Sequence, residues 1–147
     1  MPRRIATILV CLAAFAVPHA AAAEVAEVTW AMMDDAEWKT KWGDNDYVQV
    51  PEFGDTLLEL DGKPIRIKGY ILPLETVGKQ THFMLSAIPM AHCPYCTPTS
   101  PTTGIETRLR EPIGFTTEAI IVTGTLELLW DDPLGMFYRL KDGTATR

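Results

Sequence analysis

From Thr56 onward the sequence falls into segments with the period of strands, and that period of two limits the fold more than any other feature of the chain. Ile65, Ile67 and Gly69 alternate with Arg66, Lys68 and Tyr70 behind the turn Asp61-Gly62, the pattern of an antiparallel strand with one buried face and one wet face. Phe83, Leu85 and Ala87 alternate in the same way with His82, Met84 and Ser86. Ile105, Thr107 and Leu109 make a third set, Ala119 to Trp130 a long fourth, and Met136 to Leu140 a fifth. Nothing between them is long enough for the helical crossover that parallel neighbours need. Five strands in a small domain avoid exposed edges most simply by closing on themselves, so the sequence predicts a mostly β fold, a small five-stranded OB-like barrel. Gly69 and Gly124 each interrupt a strongly apolar strand, as happens where a strand bends or another backbone comes close. This register predicts a core of Ile65, Ile67, Phe83, Leu85, Ile121 and Leu126.

Ahead of the barrel, Val28 to Trp42 reads as a helix, because Trp30, Trp38 and Trp42 lie at multiples of four with Ala, Met, Glu and Lys between them. Gly43-Asp44-Asn45-Asp46 then ends it with turn-forming residues. Those acids lack the spaced ligands, glycine and terminal glutamate of a calcium loop. The expected organisation is a signal peptide over 1–23, an N-terminal helical segment and linker over 24–50, and the barrel domain over 51–147.

The signal peptide is read from Arg3 and Arg4, an apolar run from Ile5 to Val17, and the small residues Ala20 to Ala23. Cleavage near Ala23 would start the mature chain at Glu24 and deliver it to the periplasm. Cys11 lies inside the apolar run behind Leu9-Val10, without the small residue a lipid-anchoring motif puts before its cysteine. The paired arginines lack the flanking pattern of twin-arginine export. No later stretch approaches the roughly 20 apolar residues of a membrane helix, so no stable membrane insertion is expected. Two of the thirteen basic residues leave with the signal, so eleven face nineteen acidic ones, a formal charge of −8. Nucleic acid and anionic lipid both demand a basic footprint and are disfavoured as partners, whereas a cationic ligand suits the surface.

The chemistry of the chain concentrates in His92-Cys93-Pro94-Tyr95-Cys96, which holds the two cysteines left after export. It lies in the proline-rich connection from Ile88 to Thr103, and connections of that length in small domains are usually functional. Three readings compete. A four-residue turn brings its end Cα atoms within about 7 Å, near the range a disulfide accepts, so an oxidising periplasm permits a plain structural bridge. Such a bridge closes a very short loop and stabilises little. Cys-Pro-Tyr-Cys also resembles the motif of glutaredoxins, but Thr97-Pro98-Thr99-Ser100-Pro101 cannot continue as the helix whose N-terminus activates the thiol. Exchange with another thiol protein stays open through His92. The metal reading uses the most residues: Cys93 and Cys96 as thiolates, His92 as imidazole, Met90 and Met84 as thioethers suited to Cu(I), and His82, on the strand face of Met84, as a further ligand. Zn or Cu would be the ion. No second site looks catalytic, and the paired acids Asp131-Asp132 read as turn residues.

The order Leu60-Asp61-Gly62-Lys63, Gly69 to Glu75, Leu85-Ser86, Cys93 to Cys96, Val122 to Leu128 and Tyr138-Arg139-Leu140 resembles a family of small bacterial periplasmic proteins catalogued only as a domain of unknown function. The resemblance covers nearly the whole chain after residue 23. It implies that the paired cysteines are Cys93 and Cys96, and, because some members are encoded with transition-metal transporters, a metal-transport system or another periplasmic protein as partner. The sequence therefore predicts a non-enzymatic periplasmic binding or accessory protein, with a protein-interaction module carrying a Cys93–Cys96 disulfide, or a thiol-disulfide exchange partner, as the alternatives.

Overall fold

The computed structural model describes residues 24–43, 46–74, 78–89 and 100–147. The five strands read from the sequence are present as β4 (Pro64–Pro73), β5 (Lys79–Ser86), β6 (Gly104–Gly114), β7 (Ile120–Leu128) and β8 (Tyr138–Thr146). They run β4-β5-β6-β8-β7, and β7 pairs back onto β4, which closes the sheet into a five-stranded barrel. All pairings around the barrel are antiparallel except β6 with β8.

Closure depends on β4 changing partner midway. Pro64 to Gly69 pair with β7, and Tyr70 to Pro73 pair with β5. Gly69 sits at the change, where a Cβ would stand 2.8 Å from both the Leu85 side chain and the Ser86 carbonyl oxygen. Gly124 does the same service on β7, with the Lys141 carbonyl oxygen 2.9 Å from where its Cβ would be. Both glycines allow the close backbone approach their sequence context suggested.

The interior is filled by Ile65, Ile67, Phe83, Leu85 and Leu126, as expected, joined by Ile71, Ile105, Val122 and Leu140. Ile121 is a correction to the expected core. It lies on the outer face of β7, and its neighbours Ile120 and Val122 point inward, both fully buried.

The N-terminal region departs further from expectation. The helix predicted over Val28 to Trp42 is confined to one turn, α1 (Trp30–Met33), preceded by the two-residue β1 (Ala26–Glu27), which pairs in parallel with β4. The remainder is β2 (Ala36–Trp42), which forms an antiparallel hairpin with β3 (Tyr47–Phe53). A second short helix, α2 (Asp55–Leu60), follows and buries Leu57 and Leu60 in the same core. Met33 of α1 is fully buried there, and its carbonyl oxygen accepts the Tyr138 hydroxyl from β8. Burial, with Asp34 and Asp35 nearby, pushes that phenol far above its usual pKa, so the Tyr138 proton stays in place as a tether between α1 and the barrel.

Candidate functional site

Met90, His92, Cys93 and Cys96 lie outside the described residues. What the structure fixes is the root of the connection that carries them. The connection leaves β5 at Ser86 and rejoins β6 at Gly104, and the two ends are tied by the Ala87 N–H donating to the Thr103 carbonyl oxygen at 3.0 Å. Ser86 Oγ accepts the Ile88 N–H at 3.1 Å on the outgoing side. On the returning side a 3-10 turn, Pro101–Thr103, is capped by Ser100, whose Oγ accepts the Thr102 N–H. Proline at its first position fits the turn, since that position has no hydrogen bond to lose. Thr102 is buried, and its hydroxyl donates to Asp34 Oδ1 at 2.7 Å, fastening the root to the end of α1.

Met84 and His82 share the outward face of β5, as their spacing required. Met84 is buried there without belonging to the interior cluster. His82 stands four residues before Ser86, about 13 Å back along the strand at the usual rise per residue. Its Nε2 lies 2.9 Å from Glu106 Oε1 on β6. Glu106 is also the acceptor for Arg108 Nε and Nη2, at 3.0 and 2.8 Å, and for Arg139 Nε from β8, at 2.6 Å. Arg139 continues to Glu127 Oε2 on β7 at 3.3 Å, and the other oxygen of that carboxylate, Oε1, accepts from Lys141 Nζ at 2.9 Å. A ladder of alternating charge therefore crosses four strands on the outside of the barrel.

Glu106 is the centre of that ladder, with a side chain only 11% exposed. Burial works to push its carboxyl up, but hydrogen bonds from Arg108, Arg139 and His82 outweigh it and hold the pKa below the usual carboxylate range. The same contact with Glu106 raises Arg139. Glu127 is lowered, first by the hydrogen bond from Lys141. Fixed charge, rather than a poised acid or base, is what this arrangement supplies. Sequence reasoning missed the ladder because its members are far apart in the chain; only the outward register of Glu106, opposite Met84 and Arg139, points to it.

Two cavities flank α1. One, about 310 Å³, is lined by Asp34, Asp35, Glu37 and Glu52 with Phe53 and Gly54; the other, about 300 Å³, by Val28, Trp30, Tyr70, Lys68 and Ala87 among others. Among the described residues no three His, Cys, Asp or Glu side chains converge as metal ligands. No helix among them is long and apolar enough to cross a membrane.

No family model and no curated protein matches the chain. Its structure is similar to the crystal structure, at 2.45 Å resolution, of a DUF3299 family protein from Pseudomonas aeruginosa PAO1. The TM-score is 0.56 at 18% sequence identity, over 84% of this chain and 97% of that one. The likeness is one of fold; the neighbour's family is one catalogued as a domain of unknown function, which is consistent with the resemblance of the motifs.

Proposed function

We propose that this is a periplasmic binding or accessory protein of OB-like fold that holds Zn(II) or Cu(I) on the β5–β6 connection. The strand order β4-β5-β6-β8-β7 with one parallel pair supports the OB-like reading. The observation that carries the metal reading is His92-Cys93-Pro94-Tyr95-Cys96 on a connection whose two ends are hydrogen-bonded together and pinned to α1 through Thr102 and Asp34. A rooted connection limits the conformational entropy lost when its ligands close on an ion. Cys93 and Cys96 supply the thiolates and His92 the imidazole, a donor set suited to Zn(II) or Cu(I). Met90 and His82 are the further ligands, His82 only by releasing Glu106. A metal-transport system is the partner that such a carrier would serve.

Metal binding requires reduced thiols and releases protons, whereas a Cys93–Cys96 disulfide removes both ligands. Competition against a chromophoric chelator, with reduced and oxidised protein side by side, separates the two. The reduced form should take one equivalent of Zn(II) or Cu(I), and Cys93→Ser or Cys96→Ser should abolish it. Equal competition by reduced, oxidised and doubly substituted protein would leave the structural disulfide as the better account.

A further inference from the structure

The hairpin β2–β3 is two-faced. Strand alternation with the register Trp42↔Tyr47, Thr40↔Gln49, Trp38↔Pro51 and Ala36↔Phe53 puts all the aromatic residues of the hairpin on one face, and Lys39 and Lys41 on the other. At the hairpin's root that aromatic face packs on the barrel: Trp38 lies 4.8 Å from Phe137, and Phe53 4.8 Å from Trp130, between ring centroids. At its tip the face runs past the barrel, and Trp42 and Tyr47 form an edge-on pair with 67% and 68% of their surfaces exposed. Trp38, Trp130 and Leu134 extend the exposed apolar surface toward the turn before β8, whose Gly135 abuts Trp38. Scattered apolar residues on a surface are ordinary; here an exposed Trp42–Tyr47 pair and an exposed Trp38–Trp130 cluster share one hairpin face, parted only by the Thr40–Gln49 pair, and tryptophan and tyrosine are the residues protein-binding surfaces favour.

Charge identifies what the face accepts. Lys39 is committed to Glu37 and Glu52 on the far side of the hairpin. Asp46 and Asp131 are the sequence neighbours of Tyr47 and Trp130, and Asp46 Oδ1 accepts the Tyr47 N–H at 2.7 Å. Electron-rich ring faces bordered by carboxylates attract guanidinium groups twice over, by cation–π contact and by ion pairing. The net charge of the chain, −6, steers the same partner toward the surface.

We propose that the exposed aromatic face of the β2–β3 hairpin, at Trp42, Tyr47, Trp38 and Trp130, docks an arginine-bearing extended segment of a partner protein. The segment lays guanidinium groups over Trp42 and Tyr47 and aliphatic side chains along Trp38. This surface shares no residue with the cysteine connection, so it stands or falls apart from the metal reading.

The test is isothermal titration of the exported chain with a synthetic peptide alternating arginine and leucine, against a twin alternating glutamate and leucine. The arginine peptide should bind at least tenfold more tightly than its twin. Trp42→Ala with Tyr47→Ala leaves the net charge unchanged and should weaken it at least tenfold, whereas Lys41→Ala on the far face should change it less than threefold. Asp46→Lys with Asp131→Lys keeps every ring and should also cost tenfold, which decides the matter should the aromatic variant melt early. Undiminished binding by either double variant would overturn the proposal, as would equal affinity for the two peptides. A dimer in sedimentation that the aromatic substitutions dissolve would overturn it in favour of a second copy as occupant.

Discussion

Glu106 on β6 and Arg139 on β8 sit opposite each other in the parallel pairing of the barrel, and Arg139 Nε donates to Glu106 Oε2 at 2.6 Å. That pairing joins strands separated by the whole of β7 in sequence, and a charge-assisted hydrogen bond is the strong kind. Because His82 and Arg108 donate to the same carboxylate, Glu106 couples three strands through one side chain.

The consequence for pH follows from the direction of the Glu106 shift. Folding lowers its pKa below the ordinary value of 4.5, so the folded state favours the ionised form. The resulting stability is complete above the ordinary value and disappears as pH falls through the folded one. Glu106→Gln should cost about 1–3 kcal/mol at pH 7, since it takes from a partly buried Arg139 its shortest ion pair and leaves it only the longer ones to Glu127 and Asp132. The melting temperatures of the two proteins, measured from pH 7 down to pH 3, should converge at the acid end. Parallel curves would show that Glu106 is not the linked group.

Gly69 offers a test of barrel closure. A Cβ there meets Leu85 and the Ser86 carbonyl oxygen at 2.8 Å, and a backbone oxygen in a paired strand cannot retreat cheaply. Gly69→Ala should destabilise the fold by about 1–3 kcal/mol, the usual range for overpacking, although alanine is no worse a strand former than glycine. An unchanged denaturation midpoint would mean that β4 passes β5 less closely than described.

The barrel was legible because each strand face meets a different medium, and the alternation of Ile65, Arg66, Ile67 and Lys68 records that directly. The hairpin was not, for a reason visible in Trp38 and Trp42. A spacing of four lies on one face of a helix and, being even, also on one face of a strand. The alternation Trp38-Lys39-Thr40-Lys41-Trp42 fits the strand better, and pairing with Tyr47–Phe53 decides it. Ile121 failed differently: in Ala119-Ile120-Ile121-Val122 every residue is apolar, so the local sequence carries no facing information. The cysteine pair, by contrast, stands out in sequence and falls outside the described residues.

Adjacent residues of β7 give a sharp check of that corrected register. Ile120 is fully buried and Ile121 is 36% exposed. Ile120→Ala should therefore cost about 2–5 kcal/mol, with Phe83→Ala on β5 at about 3–5 kcal/mol. Ile121→Thr, keeping the branched shape on an outward position, should stay within about 0.5 kcal/mol of the parent. Urea denaturation of the three variants reads this out, and a reversed order for the two isoleucines would restore the register expected from sequence.

His82 tests how far the proposed metal site reaches. Its Nε2 is already held by Glu106, and the strand keeps it about 13 Å from the root of the connection. Joining the site would mean breaking that contact and leaving the Glu106 carboxylate to the arginine donors alone. His92 stands next to Cys93 in sequence. His92→Ala should accordingly lower the affinity of the reduced protein for Zn(II) by about tenfold, the scale on which even supporting residues of metal sites act. His82→Ala should lower it less than threefold while reducing the melting temperature. Glu106→Gln provides the complementary arm, since a histidine freed from its carboxylate partner becomes available as a ligand. A tenfold loss on His82→Ala, together with tighter binding in Glu106→Gln, would instead make His82 a full ligand, drawn from the barrel wall by the metal.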